Sequence, residues 1–208
     1  MSGMVSTRTR YDAVAIALHW LTVLAILSLL AMGWIMTSVP PGSATQFMLF
    51  QWHKSVGITV LALTVLRLGW RLAHKAPALP DTMPPLEKLA AHLGHVGLYA
   101  LLFAMPLTGW ALVSTSPFNI PTMLYGFIPF PHLVFPAALG SKAALNADFV
   151  NAHFVGVWLI VALVAVHAAA ALRHHFVLRD TVLTRMLPRF GPSRPGSAQP
   201  RFRHGESR

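Results

Sequence analysis

Four apolar segments of this chain are each long enough to cross a membrane as a helix. They cover about Ala13–Met36, Trp52–Leu72, Leu89–Val113 and Val150–Phe176. A spanning helix needs ~20 mostly apolar residues. Only 11% of the 208 residues are charged, whereas soluble domains carry about a quarter. The sequence therefore predicts an all-α membrane protein, a four-transmembrane-helix bundle.

Basic residues are unevenly distributed between the connections. The region from 173 to 208 holds many arginines, and Arg71, Lys75 and Lys88 flank the second connection, but Thr37–Gln51 has no basic residue. Because positive loops stay in the cytoplasm, we expect both termini to be cytoplasmic (N-in/C-in). The protein is then a multi-pass membrane protein.

The same reasoning divides the chain. We expect a cytoplasmic N-terminal segment (1–12), a transmembrane domain (13–187) and a disordered basic cytoplasmic tail (188–208). The net charge of +10 is concentrated at the ends and in one loop. It favours attraction to anionic membrane lipid and not to nucleic acid. The third connection, Ser114–Asn151, is apolar and rich in proline, so it predicts a lid on the outer end of the bundle and no span.

Histidine is the main candidate ligand of this chain, because there is no cysteine. His153 and His167 lie fourteen residues apart in the last apolar segment. On a helix they share a face and stand about 21 Å apart along the axis. Intramembrane imidazoles are costly and tend to mark function. We therefore predict two metal centres at different depths, each most simply a haem.

Haem with two axial histidines needs imidazoles at equal depth on different helices. With the predicted orientation, His53 matches His153 on the outer side and His19 matches His167 on the inner side. The pattern predicts two haem b groups, with these four histidines as metal ligands. Gly57 and Gly156 lie about one turn from a ligand and would let a flat macrocycle approach the backbone.

Other residues near the inner side each have more than one candidate role. His92 and His95 would contact a propionate or a quinone, or replace His19 as the inner ligand. Arg67 and Arg71 would either anchor the helix at the interface or pair with haem propionates.

Motifs on all four segments resemble those of the prokaryotic cytochrome b561 family. They include Leu18-His-Trp, Trp52-His-Lys-Ser-Val-Gly57, Ala91-His-Leu-Gly-His95, Met105-Pro-Leu-Thr-Gly109 and Asn151-Ala-His-Phe154, and the similarity runs from about Arg10 to Pro188. The resemblance implies a di-haem inner-membrane cytochrome with axial ligands at His19, His53, His153 and His167. It also implies redox function.

The subgroup that the chain resembles most is superoxide oxidase, which takes electrons from periplasmic superoxide and reduces ubiquinone. This resemblance implies a superoxide:quinone oxidoreductase. We expect Lys54 to act in catalysis by docking the anion, with Lys142 nearby, because focused positive charge raises the encounter rate.

Two alternatives remain at this stage. The chain could be the cytochrome b subunit of a dehydrogenase or hydrogenase, passing electrons between a redox partner protein and quinone. It could also be a non-haem transporter using intramembrane histidines, although such a protein would need acidic residues within its helices, and the sequence has none there.

Overall fold

The structure is a computed structural model, and it describes residues 9–188. Four helices make up most of it: α1 Ala13–Ser38, α2 Ala44–Ala73, α3 Pro85–Thr115 and α4 Lys142–Phe176. Two short strands, β1 Thr122–Leu124 and β2 Ile128–Phe130, and a 3-10 turn at Ala137–Leu139 lie between α3 and α4. All four helices are long and apolar enough to cross a membrane, which confirms the predicted class. Most of the predicted N-terminal segment and tail lies outside the described residues.

Two of the helices begin well before their apolar segments. α2 starts at Ala44, where the Ser43 hydroxyl accepts a hydrogen bond from the backbone of Gln46, and α4 starts after Ser141, which caps in the same way. Serine at this position satisfies backbone N–H groups that the first turn leaves unpaired. α4 is 35 residues long, or about 52 Å. Capped turns therefore extend both helices beyond the predicted apolar segments at one end.

The helices pack in chain order. α1 packs on α2, α2 on α3 and α3 on α4, whereas α1 and α4 share no comparable backbone contact within residues 9–188. Consecutive neighbours are expected where connections are short. The side of the bundle between α1 and α4 is therefore held mainly by side chains.

The connection between α3 and α4 contains a β-hairpin that the sequence did not predict. β1 and β2 pair antiparallel, with Thr122 opposite Phe130, and the turn has positive φ at Tyr125 and Gly126. Hydrogen bonds tie the hairpin to the outer end of α2: the Gln51 amide donates to the Pro121 carbonyl, and Ser55 Oγ accepts from Tyr125 N. The hairpin covers this end as the predicted lid would, and we call this end of the bundle the outer end.

At the opposite, inner end, the segment after α4 folds back across the bundle. Arg179 has a positive φ, and Asp180 accepts from His174 Nδ1 at 2.5 Å. Farther on, Trp20 Nε1 donates to Met186 O, and Arg10 Nη2 donates to Leu187 O. These bonds tie the C-terminal segment to the beginning of α1.

The predicted orientation is tested by single-cysteine labelling, since the natural chain has no cysteine. Ala138 at the outer end and Thr82 between α2 and α3 are both exposed. We expect Ala138→Cys to react with a membrane-impermeant maleimide in intact cells with permeable outer membranes, and Thr82→Cys to react only after the inner membrane is broken. The reverse pattern would contradict N-in/C-in.

Candidate functional site

Four residues, one from each helix, form a layer at each of three depths. Successive members on a helix are seven residues apart, nearly two turns or about 10.5 Å. The outer layer holds two histidines and two glycines, the middle layer is apolar, and the inner layer holds three histidines and an arginine. By layer, they are Gly33, His53, Gly109 and His153; Ile26, Val60, Leu102 and Ile160; His19, Arg67, His95 and His167.

The middle layer is the best-packed part of the described protein. Val60, Leu102 and Ile160 are each no more than 6% exposed, and Ile26 packs against them. Apolar side chains at heptad spacing are what adjacent, slightly inclined helices bury between them. This layer separates two polar layers and fixes the depth of both.

The outer layer places the imidazoles of His53 and His153 next to each other. Their ring centroids are 6.4 Å apart, and the ring planes are inclined by 71°. Two imidazoles that share one metal through bonds of ~2.0–2.1 Å have centroids roughly 6.3 Å apart. We call these two residues the outer histidine pair, and their separation matches that of a shared metal.

Hydrogen bonds determine which nitrogen of His153 is free. Thr108 Oγ1 donates to the carbonyl of Ala104 and lies 3.2 Å from His153 Nδ1. The hydroxyl proton is thus committed, and Nδ1 is the donor of this second bond. The lone pair of His153 is then on Nε2. In His53, Nδ1 is buried without a hydrogen-bond partner among residues 9–188.

The inner layer brings His19 and His167 together in the same way. Their centroids are also 6.4 Å apart, at 63°, and we call them the inner histidine pair. His95 lies closer to His167, at 5.5 Å between centroids, which is shorter than a shared metal requires. His19 therefore suits the second ligand position better than His95 does.

Arg67 and Arg71 extend the inner layer toward the inner end. Arg67 Nη2 donates to His19 Nδ1 at 3.0 Å, and both guanidinium groups lie over the ring of Tyr99. A cavity beside them is lined by further basic residues, among them Arg10, Lys75 and His74.

Asp12 is the one acidic residue among the described residues that line this cavity. Burial raises the pKa of its carboxyl, but hydrogen bonds from the Ala15 backbone and from Trp70 Nε1 outweigh burial and hold that pKa below its usual value. Asp12 is therefore ionised at neutral pH and engaged at the start of α1. The cavity has more positive than negative charge and would accept an anionic group.

The predicted glycines differ in what surrounds them. A Cβ added at Gly57 would meet no atom within 4 Å, so the backbone there is open to close approach. At Gly156 an added Cβ would overlap the sulphur of Met105 from α3. The structure thus gives Gly156 a role in helix packing, because the methionine side chain occupies the space that we expected a porphyrin to use.

Two other glycines touch the outer histidine pair, and the sequence analysis missed both. An added Cβ at Gly33 would lie 3.7 Å from His53 Cε1, and at Gly109 it would lie 3.2 Å from His153 Cε1. The seven-residue spacing from His19 to Gly33 and from His95 to Gly109, through an apolar residue, was the signal that could have found them.

Lys54 has a structural contact in addition to its predicted role. Its ammonium donates to the carbonyl of Pro121 at 3.2 Å, beside the bond from Gln51. The side chain is half-buried at the edge of the hairpin. One of the three donors of the ammonium is thus engaged, and two remain.

The pairing of histidines restricts the kind of metal centre. In residues 9–188 no group of three or more histidine, aspartate or glutamate side chains is placed to hold a metal ion. Protein sites for a bare transition metal usually supply three or four ligands. Two opposed imidazoles suit iron that already has four equatorial nitrogens from a porphyrin.

Comparison with known proteins agrees with this chemistry. The family model for prokaryotic cytochrome b561 matches residues 10–189. Cytochrome b561 homolog 2 of Escherichia coli K12 is 33% identical over 89% of this chain and 95% of its own length. The probable superoxide oxidase CybB of Yersinia pestis is 29% identical over 86% and 97%.

A third relative is a probable Ni/Fe-hydrogenase 1 B-type cytochrome subunit of Escherichia coli K12, 25% identical over 81% of this chain and 84% of its own length. The family match covers nearly all of the described residues, and the four apolar helices agree with a multi-pass protein of the inner membrane. This chain therefore belongs to the prokaryotic cytochrome b561 family of membrane haem b electron-transfer proteins.

Proposed function

We propose that this protein carries electrons through two haem b groups, from periplasmic superoxide at the outer end to ubiquinone. The observation that carries the proposal is the equal separation of the two histidine pairs, 6.4 Å between ring centroids in each. That separation suits a bis-histidine metal centre at both depths. The apolar middle layer keeps the two centres apart.

The outer haem would be held by His53 and His153. The Thr108 hydrogen bond keeps the proton of His153 on Nδ1, which directs the lone pair of Nε2 toward iron. His53 Nδ1 is buried without a partner in the described chain, so no hydrogen bond at this atom determines which ring nitrogen of His53 would bind. Gly33, Gly57 and Gly109 replace side chains that would otherwise crowd a macrocycle.

The inner haem would be held by His19 and His167, and its binding would release Arg67. An arginine always donates, so its bond to His19 Nδ1 leaves the His19 proton on Nε2. Coordination through Nε2 needs that proton to move to Nδ1, and the bond to Arg67 then breaks. Arg67 and Arg71 would turn to the haem propionates, whose carboxylates would pair with the guanidinium groups.

A haem with two histidine ligands supplies one-electron transfer and leaves no open position on iron for oxygen. The protein groups then have three tasks: to hold the rings, to admit a small anion at the outer end, and to exclude water from the middle layer. Superoxide loses one electron and leaves as dioxygen. Reduction of one ubiquinone takes two electrons and two protons, and so consumes two superoxide anions.

The choice of superoxide is supported by one relative and by charge. The Yersinia pestis relative is named as a probable superoxide oxidase. At the outer end of the described chain the charged residues are Lys54, Lys142 and Asp148, so an approaching anion meets a net positive charge. Such charge raises the rate at which small anions are captured.

The second candidate is a cytochrome b subunit that exchanges electrons between quinone and a partner protein. The hydrogenase cytochrome subunit among the relatives favours it. That function needs a bound partner to deliver electrons, whereas superoxide would reduce the purified protein alone. The two candidates therefore differ in what isolated protein can do.

The deciding experiment adds superoxide to detergent-purified protein with ubiquinone. We expect the haem absorption bands to show reduction and quinol to accumulate at one per two superoxide anions, and superoxide dismutase to abolish both. Hydrogen peroxide in the same amount is the control. Oxidised haem after superoxide addition would favour the partner-dependent function.

Replacing His153 by Ala tests the assignment of the outer pair. We expect the haem content per protein to fall to about half, because the inner pair keeps both imidazoles. Haem is measured by its pyridine complex against protein concentration. His92→Ala, an exposed histidine on α3, should keep the full content. Unchanged haem in His153→Ala would contradict the assignment.

Gly109→Ala tests whether glycine in the outer layer positions His153. The added methyl would press on His153 Cε1 and Nδ1, at 3.2 and 3.5 Å, so we expect weaker retention of the outer haem and a shifted midpoint potential. Gly69→Ala is the matched control, because its Cβ meets no atom within 4 Å. Both changes raise helix propensity by about 1 kcal/mol, so identical haem retention in the two variants would refute the positioning role.

A further inference from the structure

The connection between α3 and α4 contains, in the hairpin and just after it, two buried polar atoms that form no hydrogen bond with the other described residues. Thr122 is 4% exposed, yet its Oγ1 has no hydrogen-bond partner among the described residues. The same holds for the buried Nε2 of His132. Leaving a buried donor unpaired costs about 1–3 kcal/mol. Two of the three buried side-chain atoms without a hydrogen-bond partner in the described chain lie in this one connection.

The fold holds both residues in place from two sides. Pro121, next to Thr122, accepts hydrogen bonds from Gln51 and Lys54 of α2. The two neighbours of His132 are both bonded to α3: Trp110 Nε1 donates to the Pro131 carbonyl, and Ser114 Oγ accepts from Leu133 N. The backbone on either side of these polar atoms is therefore fixed to a helix.

The strand register brings the two residues near each other. Thr122 lies opposite Phe130, and His132 follows Phe130 by two residues. Residues two apart on an extended chain point to the same face, and such diagonal neighbours across strands are within roughly 7–8 Å. Thr122 and His132 are thus on one side of the connection.

Positive charge surrounds this place. Burial lowers the pKa of His132, and the nearby charges of Lys54 and Lys142 lower it further. Asp148 is the single acidic residue at the outer end of the described chain, and it is exposed. The Lys54 ammonium keeps two donors after its bond to Pro121. A hydroxyl, an imidazole and an ammonium, with no carboxylate engaged, make a set of donors.

We propose that Lys54, Thr122 and His132 form a binding site for a small monovalent oxyanion beneath the hairpin. The Thr122 hydroxyl and His132 Nε2–H donate to the anion, and the Lys54 ammonium balances its charge. Under the proposed function the oxyanion is superoxide. Only this identification of the anion rests on the proposed function. Lys54 directly follows His53 on α2, about 1.5 Å along the helix axis, so the docked anion lies near the depth of the outer histidine pair.

The site is tested first with formate, an oxyanion that exchanges no electrons with haem. Reduced holoprotein with ¹³C-labelled histidine Cε1 is titrated with sodium formate at constant ionic strength. The signal of His132 is identified as the one that is absent from the spectrum of His132→Gln. In the natural protein we expect formate to shift this signal saturably. That shift should be lost in Thr122→Val and kept in Thr45→Val, an exposed threonine at the start of α2.

The second measurement is the rate at which superoxide reduces the haem of the same proteins, each with unchanged haem content. A hydrogen bond to a charged group is worth enough that removing one should slow the reaction about tenfold. We expect this in Thr122→Val and His132→Gln, and the natural rate in Thr45→Val.

The outcomes separate this proposal from the proposed function. Without a saturable formate shift, and with natural superoxide rates in both site variants, the oxyanion site is wrong while the function stands. Formate binding that depends on Thr122, in a protein whose haem superoxide does not reduce, supports the site and overturns superoxide as the donor.

Discussion

The opposition of imidazoles across the bundle is the constraint on which the rest of the structure depends. Each histidine pair must come within a few tenths of an ångström of one separation, although its members lie on different helices. The apolar middle layer lies between the two pairs, where Val60, Leu102 and Ile160 pack at a depth at which all four helices meet. The packing of this layer therefore determines how far apart the helices hold the members of each pair. A change in this packing would alter both pairs at once.

The outer and inner layers use the same spacing for different chemistry. In the outer layer Gly33 and Gly109 lie beside the two histidines, so these two positions add no side chain next to the imidazoles. In the inner layer the corresponding positions hold Arg67 and His95, and Arg67 is bonded to His19. The outer layer thus leaves more room beside its histidines, whereas the inner layer places a guanidinium group and a third imidazole beside its own.

Sequence reasoning could predict the class, the helices and the two pairs, because apolar length and histidine depth follow from simple geometry. It misjudged where α2 and α4 begin, since the starts are set by the serine caps Ser43 and Ser141, which a search for long apolar segments does not detect. The β-hairpin was missed because the prolines of the connection were used only to exclude a spanning helix, and Pro129 lies in an edge strand that tolerates it. Gly156 was assigned by distance along one helix, but Met105 of another helix decides its surroundings.

The hairpin links the two parts of the outer end that a superoxide-dependent reaction would need. Thr59 accepts a hydrogen bond from the Tyr125 hydroxyl at 2.5 Å, and Trp52 packs against the Tyr125 ring. These contacts fasten the turn of the hairpin to the helix that carries His53. The same helix bears Lys54, whose bond to Pro121 fastens the other end. The helix that carries His53 is therefore joined at both ends of β1 to the connection that holds Thr122, so the packing of α2 places these donor groups relative to the outer histidine pair.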